Sequence, residues 1–133
     1  MPAKQGLKSG AKPAAQKLPS PKVLFVGTEC SPFSKVGGLG DIMGSLPKAL
    51  LKRGIDVRVV TPAWPGVMQA IKDAGYKVDT YQPKVSASYA WAVADATVHR
   101  INSDGVTVYF LESDYYAGEM YHGRSILGLY VLL

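Results

Sequence analysis

Four apolar residues in a row, Val23-Leu24-Phe25-Val26, lead into a stretch holding Gly27, Pro32 and the pair Gly37-Gly38, and then into Leu39, Ile42, Met43, Leu46 and Leu50 at helical spacing. Few architectures accept that succession. A short unbroken apolar run suits a strand of a parallel sheet covered on both faces, and the 3.6-residue period that follows suits a helix laid against it. Pro47 removes one backbone donor inside that helix, so a bend is expected there. Lys52, Arg53 and Gly54 provide a cationic last turn and a stop. Asp56 to Thr61, with Val57, Val59 and Val60, then reads as a second buried strand ended by Pro62. The unit is βαβ, its crossover right-handed, and the class is α/β with a Rossmann-like parallel-sheet start.

Beyond Trp64, Pro65 and Gly66, the residues Val67, Met68, Ala70 and Ile71 predict a short helix closed by Gly75, with a strand around Lys77 to Thr80. Residues 85 to 101 alternate loosely (Val85, Ala87, Tyr89, Trp91, Val93). Asn102 to Gly105 make a turn before Val106 to Leu111, giving a hairpin that feeds another core strand. Ser125 to Leu133 is nearly all apolar with no polar cap, which suggests a truncated chain whose remainder would cover that surface.

The formal charge of +5 on 133 residues raises the question of nucleic acid, and placing the charges answers it. Of the fifteen basic residues, Lys4, Lys8, Lys12, Lys17 and Lys22 all precede Phe25, leaving ten to face ten acidic residues. Residues 1–21 therefore read as a flexible basic leader, too poor in apolar side chains to offset the entropy of ordering it. No nucleic-acid partner and no membrane partner are expected, since no window approaches the ~20 apolar residues of a bilayer span. The leader lacks Arg and an amphipathic stripe, which argues against a targeting segment while leaving a plastid address open. Cys30, the single cysteine, cannot form an internal disulfide, so a reducing compartment, the cytoplasm, is the simpler expectation.

The chemistry lies in Glu29-Cys30-Ser31-Pro32-Phe33-Ser34-Lys35-Val36-Gly37-Gly38-Leu39-Gly40-Asp41, where strand hands over to helix. Ligands of open α/β sheets sit beyond the carboxyl ends of the strands, and a first helical turn offers unpaired N–H groups to an anion. Adjacent glycines let main chain approach a diphosphate, and Lys35 puts a mobile ammonium beside it. Set against this, Lys35 could be a solvated loop lysine, Gly37-Gly38 a tight turn needing unusual backbone angles, and Asp41 a helix-dipole carboxylate. No Gly-Lys-Ser or Gly-Lys-Thr closes the loop, and Gly37-x-x-Gly40 is not the three-glycine dinucleotide fingerprint, so P-loop and dehydrogenase readings weaken. No metal-ligand cluster is visible and no cofactor is implied.

Lys35-Val36-Gly37-Gly38-Leu39-Gly40-Asp41, with Thr28-Glu29, Pro32, Leu46-Pro47, the Gly54 to Val60 strand and Thr61-Pro62-Ala63-Trp64-Pro65, resembles the glycogen and starch synthases. The likeness covers about residues 22 to 123, thinning between 67 and 105 and returning at Val108 to Leu111 and Tyr121-His122-Gly123. It implies that residues 22–133 are part of the N-terminal catalytic domain of a two-domain (GT-B type) retaining glucosyltransferase. Such an enzyme extends an α-1,4-glucan acceptor from ADP-glucose or a related nucleotide-glucose donor. It further implies substrate-binding roles for Lys35, Gly37 and Gly38 at the donor phosphates, for Asp41 at the sugar, and for Tyr121 near the glucosyl site. Tyr121 could instead pack or stack on glucan beside Tyr115 and Tyr116. His99 reads as an ordinary sheet residue, and neither Glu29 nor Cys30 receives a role. Two other readings stay open: a non-catalytic fragment that binds glucan or a partner, and another GT-B transferase of sucrose-synthase type.

Overall fold

The computed structural model describes residues 19–89, 92–118 and 120. β1 (Lys22–Val26) is followed by α1 (Gly38–Leu51) and β2 (Asp56–Pro62), and the two strands pair in parallel from Lys22 opposite Asp56 to Val26 opposite Val60. After α2 (Val67–Asp73) come three consecutive strands, β3 (Asp79–Tyr89), β4 (Ala92–Ser103) and β5 (Val106–Glu112). They complete one five-stranded sheet of order β1-β2-β5-β4-β3. β5 pairs parallel to β2, whereas β4 and β3 are antiparallel additions.

The sheet is thus mixed, with the expected parallel start in β1 and β2 and the expected hairpin in β4 and β5. The residue 85–101 run, expected to be a single alternating stretch, contains a chain reversal: β3 ends at Tyr89 and β4 begins at Ala92. Alternation survives a hairpin because both strands keep a period of two, so the pattern alone hides the turn. The second reversal matches its sequence signal, with Asp104 at φ 52 and Gly105 at φ 87 between β4 and β5. Asn102 Oδ1 accepts from Gly105 N at 2.9 Å, closing that turn.

The core gathers Val57 and Val59 of β2, Val106, Val108 and Phe110 of β5, Ala94, Ala96 and Ile101 of β4, and Ile71 of α2, all buried. Phe33, from the loop after β1, stands edge-on to both Phe110 and Tyr76, with centroids 5.3 and 5.5 Å apart. That aromatic contact fastens the loop to the centre of the sheet.

α1 turns a different face to the sheet than its apolar period suggests. Gly40, Met43 and Pro47 are its buried residues, while Leu39, Ile42 and Leu46 stay exposed. β1, expected to be covered on both faces, likewise leaves Leu24 and Val26 exposed. The helix continues on both sides of Pro47, from Gly38 to Leu51. Pro47 has no N–H for the carbonyl of Met43, and the Cys30 thiol approaches that oxygen at 3.7 Å, supplying a weak donor from outside the helix. Burial pushes the Cys30 thiol up to about 11, so it keeps its proton and that donor.

Candidate functional site

The loop between β1 and α1 lies beyond the carboxyl end of β1, where an open α/β sheet places its ligands. Its first half is tied down. Cys30 N donates to Ser34 O and Ser34 N donates back to Cys30 O, both at 2.9 Å, and Ser31 N reaches Gly40 O in α1 at 3.0 Å. Trp64, in the loop after β2, donates its Nε1–H to Thr28 O at 2.7 Å, so the two loops at this end of the sheet share a bond.

The second half carries the sequence candidates. Lys35 Nζ lies 2.8 Å from Asp41 Oδ1, and both side chains are about half exposed. An ion pair this open to water contributes less than about 1 kcal/mol, so a more highly charged anion can take the ammonium from Asp41. The stem of Lys35 crosses Gly40, where an added Cβ would stand 3.0 Å from Lys35 Cγ and 3.1 Å from Glu29 Oε2.

Gly37 and Gly38 depart from the tight-turn expectation. Gly37 has φ -139 and ψ -163, extended backbone open to any residue, and Gly38 is not among the positive-φ glycines. A Cβ on either would meet nothing within 4 Å. Neither backbone angle nor packing within the described residues calls for glycine at these two positions.

Glu29, given no role from sequence, is 3% exposed, and its Oε2 accepts from Val36 N at 2.9 Å and Gly37 N at 2.8 Å. The expectation that both glycine amides face a ligand therefore needs correction: the Gly37 N–H is committed to this internal carboxylate. A lone acid directly after an apolar strand and facing a glycine-rich turn was the available signal. Its side-chain direction was not.

Lys35, Gly37, Gly38 and Asp41 thus come together around the start of α1, while Tyr121 and His122 lie outside the described residues. A groove of about 810 Å³ opens beside Trp64, among Lys72, Lys84, Asp95, Glu112 and Tyr115. It takes in none of the four loop residues. No group of three or more His, Cys, Asp or Glu among the described residues could hold a metal ion.

The family model of the starch synthase catalytic domain matches residues 22–129. The chain belongs to that family. Among its relatives, the glycogen synthase of Ligilactobacillus salivarius is 42% identical over 96 residues, which is 71% of this chain and 19% of that protein. The glycogen synthase of Clostridioides difficile is 35% identical over 107 residues, 80% of this chain and 22% of that protein. The chain therefore spans about a fifth of the length of these relatives. Among solved structures, the catalytic domain of starch synthase IV from Arabidopsis thaliana bound to ADP and acarbose superposes with a TM-score of 0.68. That match is 21% identical and covers 80% of this chain and 22% of that one. The likeness places the mixed sheet in the starch synthase fold, of which this chain carries a part.

Proposed function

We propose that this chain supplies the donor-phosphate side of a glucosyltransferase that extends an α-1,4-glucan from ADP-glucose. One observation carries the reading: Gly37 and Gly38 are bare where neither backbone nor packing asks for it, and they face open space beside a half-exposed lysine. A ligand pressed against the main chain gives those positions a reason to lack side chains. The relatives' glycogen synthase names, and the ADP in the Arabidopsis starch synthase title, support a nucleoside diphosphate as that ligand.

In this reading Lys35 leaves Asp41 for the donor's diphosphate and stabilises the charge that grows on it as the glucosyl bond breaks. Gly37 contributes bare surface, Gly38 surface and an amide at the head of α1, and Asp41, released from the lysine, turns to the sugar. The resemblance to the glycogen and starch synthases gives Tyr121 a role near the glucosyl group. The acceptor hydroxyl attacks from the face the phosphate leaves, retaining configuration. No helix among the described residues is long and apolar enough to cross a membrane, and the bacterial relatives support a cytoplasmic enzyme.

The experiment is glucosyl transfer from ADP-glucose to a glycogen primer by the protein at its natural length, with Lys35→Ala alongside. Removing one charge-stabilising donor costs on the order of 100- to 1000-fold in kcat. The melting temperature should hold, because the pair being lost is exposed. Turnover of Lys35→Ala within a factor of three of the parent would sink the proposal.

A further inference from the structure

We infer that Glu29 is a positioning residue that sets Lys35 for its anion by clamping the loop on the lysine's carboxyl side; this rests on the donor-binding reading of Lys35. The loop's first half is held by main-chain bonds from Cys30, Ser31 and Ser34. From Lys35 to Gly37 that support stops: among the described residues no main-chain acceptor outside the helices and strands takes the N–H of Lys35, Val36 or Gly37. Two of those three N–H groups end instead on one oxygen, Glu29 Oε2.

The carboxylate reaches them from the buried side, where it is 3% exposed, while Lys35 leaves the same segment toward the surface. Glu29 also touches the passage that the lysine stem uses. The Cβ absent from Gly40 would meet both Glu29 Oε2 and Lys35 Cγ, so acid and stem border the same bare point of α1. A long, rotamer-rich side chain loses much of its reach if its own backbone wanders, and bonds to an ionised acceptor are roughly twice as strong as neutral ones. Glu29 thus converts burial and charge into a fixed origin for an exposed ammonium, without touching the ligand.

The test is a double-mutant cycle in the protein at its natural length, with Glu29→Gln, Lys35→Ala and the pair. It is read as Kd for ADP by calorimetry and as kcat/KM for ADP-glucose. Glutamine keeps the shape and one oxygen acceptor but loses the charge. Glu29→Gln alone should weaken ADP about five- to tenfold and have no further effect once Lys35 is alanine. Equal losses in both backgrounds, or a lowered melting temperature with unchanged ADP affinity, would overturn the inference and leave Glu29 a purely structural residue. A Lys35→Ala protein that binds ADP as tightly as the parent overturns the donor-binding reading and this inference with it. That result differs from a failure of the clamp alone, in which Lys35→Ala weakens ADP and Glu29→Gln does not.

Discussion

The same chemical change, Gly→Ala, should have opposite effects on stability at two positions six residues apart in α1. At Gly38 an added methyl meets nothing within 4 Å and the backbone carries no positive φ. Alanine there fits the helix and narrows the unfolded ensemble, a gain of roughly 0.4–1 kcal/mol. At Gly44 the methyl would stand 2.5 Å from the carbonyl oxygen of Ser31 and 3.0 Å from its Cβ, where ordinary contact begins near 3.4 Å. The obstacle is backbone, and it cannot swing aside as a side chain would. Ser31 is also pinned by its N–H bond to Gly40 O, so helix and loop must part by most of an ångström. Overpacking of this kind costs about 1–3 kcal/mol, which exceeds the propensity gain. Thermal unfolding followed by circular dichroism reads both, since 1 kcal/mol moves the midpoint by about 4–8 °C in a domain of this size. Gly38→Ala should melt higher than the parent and Gly44→Ala lower. The reasoning is refuted if Gly44→Ala melts as high as Gly38→Ala, because the close approach of loop to helix would then not be there.

Thr61 is fully buried in β2, and its Oγ1 has no hydrogen-bond partner among the described residues. Replacing it with the isosteric valine should raise the urea midpoint by the equivalent of about 1 kcal/mol, and a loss of stability would count against that burial. Stability should also fall at alkaline pH. Burial lifts the Cys30 thiol from 9.0 to about 11 and the Tyr116 phenol from 10.0 to about 12. Between pH 9 and 11 the folded state keeps the thiol proton that the unfolded chain has released, so unfolding gains with rising pH. Urea titrations at pH 8 and pH 10.5 should show the decline, and Cys30→Ala should flatten its lower part. An equal slope in that variant would remove Cys30 as the cause.

Secondary structure came through where local chemistry decides it. The Val23 to Val26 run, the helix after Gly38, the Val57 to Val60 strand and the turn at Asp104-Gly105 all sit where sequence puts them. What escaped depends on partners distant in sequence. The stripe of α1 that faces the sheet is not legible in its apolar period because Gly40 and Gly44, not leucines, come closest to the β1–α1 loop, and small residues are silent in a hydrophobic period. The β4–β5 hairpin is legible from its turn, whereas the reversal between β3 and β4 is hidden because a hairpin preserves the alternation on which a strand is recognised. In the site, Lys35 and the glycines could be named because their chemistry is written in side-chain type. Glu29 could not, because its role is a direction in space: it points inward to two amides seven and eight residues on.

The thiol beneath Pro47 makes the continuity of α1 a joint property of two stretches of chain. An α-helix ordinarily closes its rings with its own atoms, yet here the oxygen of Met43 is met by Cys30, thirteen positions earlier. A residue with its own N–H at position 47 would close that ring from within and leave the sulfur only the Ser31 carbonyl, at 3.8 Å. The proline thus does more than interrupt a ladder: it lends the helix a rung that belongs to the loop after β1, so a shift in either is felt by the other.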